Sequence, residues 1–278
     1  MTIIDTPEAM RAWSFAQRAA GKTIGFVPTM GALHEGHASL MRAASSGNDL
    51  AVLSIFVNPT QFAPHEDFNQ YPRTFDADSR IASATGACVI YAPRASTMYP
   101  DRYSTYVIVE DVSQGLCGGS RPHFFRRLAT VVTKLFNAVL PHRAYFGQKD
   151  AQQCAVIKRM TRDLDMGIEI VEMPIVREPD SLAMSSRNAY LSAEERVRGL
   201  CLSRSLFAAR ERIEAGERDA HALVEQVRAG MADVQVDYVE LVDGETMQPL
   251  ERIEGMILLA VAGWAGKTRL IDNIKCEV

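Results

Sequence analysis

The sequence predicts an α/β protein, a doubly wound parallel sheet with a smaller C-terminal α/β domain, on three observations. Apolar, β-branched runs alternate with segments of helical period over the first two thirds of the chain. Three of those runs end in polar strand-to-helix junctions, where parallel sheets bind ligands. From about residue 189 the sequence turns to charged helices and then to two further strand-like runs. The expected division is 1–176 for the sheet domain, 177–188 for a hinge and phosphate-binding loop, and 189–278 for a small lid domain.

Each element has its own signal. Residues 2–4 form a short strand, and Thr6 caps a helix with Pro7 and Glu8 in its first turn, ended by Gly21. Residues 23–27 read as a buried strand that delivers Pro28-Thr29-Met30-Gly31-Ala32-Leu33-His34-Glu35-Gly36-His37, and residues 38–44 begin the next helix. A third run, 50–57, ends at Asn58-Pro59-Thr60-Gln61-Phe62. Asn58 and Gln61 can each donate and accept, which suits orienting a hydroxyl or carboxyl group, although an Asn-Pro turn also simply stops a strand. Thr74 caps a helix to about residue 85, before a strand at 87–91.

Residues 103–109 alternate polar and apolar, which predicts a strand outside the parallel core, and the glycine-rich stretch 114–120 predicts a mobile loop. Phe124, Leu128, Val131, Leu135 and Val139 then recur at helical spacing, with Pro122 in the first turn and Pro141 as the stop. Arg121, Arg126 and Arg127 at its start oppose the helix dipole, which makes them candidates to hold an anion. A strand at 144–146 opens the third junction, Gly147-Gln148-Lys149-Asp150-Ala151-Gln152-Gln153, where Lys149 offers phosphate a point charge and Asp150 a cap or nucleotide contact. A strand pair, 168–172 and 174–177, precedes a segment in which Ser185, Ser186 and Arg187 can fold over a polyphosphate. Helices follow at 196–215 and 220–232, and strands at 236–242 and 256–262. Gly266-Lys267-Thr268 looks like the end of a P-loop, but Val261 stands where its first glycine belongs and no long helix follows.

The histidine junction is the centre of this pattern. Its imidazoles are three residues apart beside a helix N-terminus whose N–H groups attract anions, so the pair is expected to bind phosphate oxygens by hydrogen bonding or, when protonated, by charge. H-E-G-H is one residue short of the H-E-x-x-H zinc pattern and has no nearby third ligand, so no metal site is expected.

Composition excludes other classes. A formal charge of −4 without a basic stripe argues against nucleic acid. The 5 scattered cysteines show no paired spacing, which fits a reducing, cytoplasmic setting. No run approaches the roughly 18 apolar residues of a membrane span, and the N-terminus lacks a signal-peptide pattern.

The turn T-M-G-x-L-H-x-G-H resembles the T/H-x-G-H signature of the nucleotidylyltransferase superfamily, whose fold is Rossmann-like. With S-I-F-V-N-P-T-Q-F, Y-P-R-T, F-G-Q-K-D-A-Q-Q and A-M-S-S-R-N in order, the chain is similar to the pantothenate synthetase (pantoate:β-alanine ligase) family from residue 2 to Asn273. The resemblance implies condensation of pantoate with β-alanine in two steps. Mg²⁺·ATP and pantoate first give pantoyl adenylate and pyrophosphate, and β-alanine then displaces AMP. It also implies a cytoplasmic homodimer.

The resemblance further implies residue roles. His34, His37, Lys149, Ser185, Ser186 and Arg187 would handle the phosphates and carry catalysis. Gly147, Val176 and Met184 would contact the nucleoside through their backbone, Asp150 the ribose, and Met30 the ATP site. Gln61 and Gln153 would orient pantoate, with Pro28 and Met30 lining its pocket. The chemistry agrees, because charge develops on phosphate oxygens and preorganised donors stabilise it. The proton acceptor for the amine step stays open among solvent, His37 and a phosphate oxygen. Where the family has L-E-G-x-x-R-P-G-H-F-x-G-V, residues 116–128 carry Cys117 for the acid, His123 for a glycine, Phe124 for the histidine and Arg127 for another glycine. Metal and β-alanine roles are therefore not carried over to that segment. The alternatives are an adenylyltransferase acting on a phosphomonoester and a weakened nucleotide- or pantoate-binding protein.

Overall fold

The computed structural model describes residues 1–63 and 66–278. In chain order its regular elements are Thr2–Ile4 (β1), Pro7–Ala19 (α1), Ile24–Thr29 (β2), Glu35–Gly47 (α2), Leu50–Ile55 (β3), Phe75–Ala84 (α3), Val89–Tyr91 (β4), Ala95–Met98 (α4), Leu116–Ser120 (α5), Phe124–Val139 (α6), Arg143–Gly147 (β5), Ala151–Asp163 (α7) and Glu169–Met173 (β6). Ala193–Gly199 (α8), Cys201–Glu214 (α9), Ala220–Gly230 (α10), Gln235–Asp243 (β7), Met256–Ala265 (β8) and Thr268–Glu277 (β9) follow. Short 3₁₀ turns lie at Pro59–Gln61, Gln148–Asp150 and Ser186–Tyr190.

The chain divides into two compact units. The first comprises residues 1–109, 123–147 and 156–173, and the second residues 110–122, 148–155 and 174–278. In the first, the strands form a parallel sheet in the order β1-β4-β3-β2-β5-β6. The chain moves outward from β2 through β3 to β4 and then returns to β5 on the other side of β2. That reversal opens a crevice at the carboxyl ends of β2 and β5.

Helices cover both faces, which is why the strands read as unbroken apolar runs. Val27, Leu53 and Ile90 pack with Leu40, Met41 and Ala44 of α2 and Ala82 of α3. On the other face Phe26 and Phe146 meet Phe136 of α6 edge to face, at 6.2 and 6.4 Å between ring centres. The second unit has an antiparallel sheet in the order β7-β8-β9. Leu206, Leu223, Val227, Ile257, Leu259, Val261 and Ile274 form its core with α9 and α10.

Several expected elements differ. Residues 103–109 are not a strand. Val107 N–H donates to Thr130 Oγ1 of α6 at 3.0 Å, Arg126 lies 3.8 Å from the Tyr106 ring centre and Lys134 lies 4.9 Å from that of Tyr103. The alternation therefore reports packing on a helix. The expected mobile loop at 114–120 contains α5, because Gly115 turns the chain at φ 64° and the Glu240 carboxylate accepts from Leu116 N–H at 3.1 Å.

Pro122 precedes α6 rather than lying in its first turn, since left-handed His123 (φ 68°) separates them. Residues 174–177 add no second strand; Arg177 makes an isolated bridge to Ala183. The helix expected at 196–215 is broken at Leu200, and Ser192 and Glu195 form a capping box that starts α8 earlier. Strand β9 escaped the sequence reading. Its hairpin with β8 turns at Gly266 (φ 60°) and Lys267, so the apparent P-loop ending is a tight β-turn.

One junction contains a titratable acceptor. His142 Nδ1 accepts from Ile24 N–H at 2.9 Å, and burial, with Arg18 and Arg143, holds its pKa below the usual value. A depressed histidine stabilises the fold above its unfolded pKa of roughly 6.5, and that contribution is lost as pH falls through the folded value. We expect His142→Asn, whose side-chain oxygen can still accept, to flatten the fall in urea midpoint on acidification from about pH 7 to 5.

Candidate active site

In the first unit the histidine turn is built by β2. Thr29 Oγ1 donates to Ser54 O at 2.7 Å and accepts from Gly31 N–H at 3.1 Å. Gly31 (φ 83°) and Ala32 (φ 51°) are both left-handed. A Cβ at Gly31 would lie 3.0 Å from Asp78 Oδ2, a tight fit that adds to the conformational preference for glycine. Buried Asp78, on α3, accepts from Ala32 N–H at 3.0 Å and Leu33 N–H at 2.8 Å, and the Thr74 hydroxyl donates to it at 3.2 Å. Thr74 thus occupies the N-cap of α3, with its hydroxyl turned to Asp78 instead of to a helix N–H.

Helix α2 begins at Glu35, three residues earlier than the sequence suggests, so His34 is its N-cap and His37 lies in its first turn. Gly36 N–H donates to His34 Nδ1 at 3.1 Å, and His34 N–H donates to His37 Nδ1 at 3.3 Å. The ring centres are 4.1 Å apart. In this geometry Nδ1 of each ring accepts a backbone N–H, which assigns the ring hydrogen to Nε2.

The same unit carries Pro28 within β2 and half-buried Met30 just beyond it. Gln61 is fixed by Asn58, whose Nδ2 donates to Gln61 Oε1 at 3.0 Å while Asn58 Oδ1 accepts from Thr60 N–H. Gly147 ends β5, and a Cβ there would meet nothing within 4 Å, so packing does not demand glycine.

The second unit carries the remaining candidates. Lys149 Nζ lies 3.1 Å from Asp150 Oδ2. Gln153 is in the first turn of α7, beside buried Gln152. Met184 N–H donates to Val176 O at 3.0 Å, which ties two proposed nucleoside contacts together. Ser185 Oγ accepts from Arg187 N–H at 3.2 Å and starts the 3₁₀ turn containing Ser186 and Arg187.

Sequence reasoning missed the supports. Gln152 Nε2 donates to Gln114 O at 2.9 Å and Val112 O at 3.2 Å, which holds the approach to α5. Asp78 could have been found only through its partners, 45 and 46 residues away. Of the basic residues at the start of α6, Arg126 stacks on Tyr106 and Arg127 Nη1 donates to Phe62 O at 3.4 Å. Burial raises the Cys117 thiol pKa against the opposing pull of Arg269 and Arg121, so it is no activated thiolate.

A model of the family described as pantoate-beta-alanine ligase matches residues 2–275. The chain belongs to this family. Among pantothenate synthetases, that of Thermotoga petrophila is 54% identical over 276 residues, covering 98% of this chain and 99% of the relative. That of Geobacter sulfurreducens is 55% identical, with 98% of each covered. The crystal structure of pantothenate synthetase from Thermus thermophilus aligns with a TM-score of 0.92 at 39% identity, with 99% of each chain covered. Pantoate-beta-alanine ligase from Francisella tularensis, complexed with beta-gamma ATP and beta-alanine, aligns with a TM-score of 0.79 at 31% identity, covering 99% of this chain and 97% of that one. These ligase relatives support the acid:amine ligase reading over an adenylyltransferase for phosphomonoesters.

Against the ligase pattern, His123 occupies the left-handed position where the pattern has glycine. Two outcomes follow. His123→Gly should be neutral or stabilising by up to about 1 kcal/mol, whereas His123→Val should cost about 1–2 kcal/mol, read by urea denaturation. Asp78→Asn, which weakens the clamp on the Ala32–Leu33 turn, should cost about 1.5–3 kcal/mol by the same measurement.

Proposed function

We propose that the chain condenses pantoate with β-alanine at the expense of ATP. The observation that carries this reading is the family match over residues 2–275, with the phosphate-handling motifs intact. In the first step a pantoate carboxylate oxygen attacks the α-phosphorus, the bond to pyrophosphate breaks, and pantoyl adenylate forms. In the second, the β-alanine amine attacks the acyl carbon, AMP leaves, and the amide of pantothenate remains.

The carboxylate is already ionised at neutral pH, so the first step needs positioning and charge stabilisation rather than a base. His34 and His37 donate from Nε2–H to phosphate oxygens beside the N-terminus of α2. Lys149, Ser185, Ser186 and Arg187 hold the phosphate chain and the leaving pyrophosphate. Backbone at Gly147, Val176 and Met184 contacts the nucleoside, Asp150 binds the ribose, and Met30 borders ATP. Gln61 and Gln153 orient pantoate, with Pro28 and Met30 lining its pocket.

Mg²⁺ enters with ATP as part of the substrate, since it keeps its waters readily and binds mainly through phosphates. In the second step the β-alanine ammonium must lose a proton. Solvent, His37 and a phosphate oxygen are the candidate acceptors. A cytoplasmic homodimer, and the division at residues 176 and 188 with 189–278 as a lid, belong to the same proposal.

The test is formation of AMP and pantothenate from Mg²⁺·ATP, D-pantoate and β-alanine, each omitted in turn. Both products should require all three substrates. AMP formation independent of pantoate would overturn the reading. Lys149→Ala should lower pantoate-dependent exchange of labelled pyrophosphate into ATP by roughly 10²-fold, as expected for a lost preorganised charge. Unchanged exchange in the folded variant would remove Lys149 from the mechanism.

A further inference from the structure

Strand β9 is the outer strand of its antiparallel sheet, with β8 on one side. The 3₁₀ turns Gln148–Asp150 and Ser186–Tyr190 both pack against it. An outer strand normally meets its neighbours with apolar side chains or presents charge to solvent. Here it carries two adjacent, almost fully buried polar residues, Asp272 at 3% exposure and Asn273 at 2%.

Each is extensively hydrogen-bonded. Asn273 Nδ2 donates to Gln148 O at 2.9 Å and to Lys149 O at 3.1 Å, and Asn273 Oδ1 accepts from Gln148 Nε2 at 3.1 Å. One amide therefore fixes the successive carbonyls of Gln148 and Lys149 together with the Gln148 side chain. Asp272 accepts from both terminal nitrogens of Arg177, at 2.6 and 2.8 Å, and from Asn273 N–H at 2.8 Å. Arg177 Nη1 also donates to Ser181 O at 3.0 Å, which fastens the start of the segment leading to Ser185, Ser186 and Arg187.

A buried ion pair is a poor way to gain stability, because apolar residues of similar volume often do as well or better. What this arrangement adds is geometry. It refers the Lys149 backbone and the 178–187 segment to one rigid strand, the usual way to hold long cationic side chains in register.

We propose that Asn273 and Asp272 are positioning residues for the adenylation step, Asn273 through Lys149 and Asp272 through Arg177 and the segment that follows it. This inference rests on the ligase reading and on the role of Lys149 in it. Both act through protein partners, Asn273 through Lys149 and Asp272 through Arg177.

The experiment is a double-mutant cycle read by pantoate-dependent pyrophosphate exchange. Asn273→Ala should lower the exchange kcat about tenfold to a hundredfold, the loss typical of removing a group that orients a catalytic ligand. Aminolysis of supplied pantoyl adenylate should change by less than about threefold, because Lys149 acts on the departing pyrophosphate rather than the acyl carbon. Added to Lys149→Ala, the substitution should cost little more, since residues acting as a unit are not additive. Asn273→Ser, which keeps one donor, should recover part of the loss and supplies the comparison if the alanine variant does not fold. Asp272→Asn should lower exchange while sparing aminolysis in the same way.

Multiplicative losses with Lys149→Ala, equal losses in both half-reactions, or full exchange activity in a folded Asn273 variant would overturn the inference alone. If the unaltered protein exchanges no pyrophosphate, the ligase reading falls and the inference falls with it.

Discussion

The Asp78 carboxylate holds the geometry of the histidine turn. Two consecutive left-handed residues, Gly31 and Ala32, reverse the chain between β2 and α2, and such a turn persists only where its surroundings over-determine it. Asp78 supplies that determination from α3, accepting the N–H groups of Ala32 and Leu33 that the turn would otherwise bury unpaired. Because the turn is pinned, α2 starts with His34 as its cap, and the two rings take fixed orientations 4.1 Å apart between centres. The sheet beneath adds the location, since β2 lies next to the point where strand order reverses.

Much of this was legible from residue order. Alternating apolar runs disclosed the parallel sheet because strands covered on both faces keep few polar residues, and helical spacing from Phe124 to Val139 marked α6. The three polar junctions were visible because each follows a strand directly. What was not legible depends on distant partners. The stretch 103–109 has strand-like alternation but packs on a helix, and α5 is too short to show a period. Strand β9 was hidden because polar Asp272 and Asn273 interrupt its apolar pattern, and their partners lie more than 90 residues earlier, at Arg177 and Gln148.

The site shows the same division between local and distant information. His34, His37, Lys149 and the Ser185–Arg187 run stand out because their residue types and spacing carry phosphate chemistry. The supports do not stand out. Gln152 behind the 112–118 segment and Asp78 behind the histidines are ordinary polar residues until their partners are known, while Asn58, singled out beside Gln61, holds that side chain in place. The Arg126 and Arg127 side chains, which one-dimensional reasoning offered to an anion, also meet the Tyr106 ring and the Phe62 carbonyl, contacts that residue order does not show.

The bond between Gln148 and Asn273 spans 125 positions of the chain. During synthesis the parallel sheet, with its last strand ending at Met173, can fold well before β9 leaves the ribosome. The Lys149 turn is then without the amide that fixes its carbonyls. A nascent chain in this state has the parallel sheet of the first unit but lacks the anchor of one phosphate-binding segment. That segment acquires its native anchor only with the last strand.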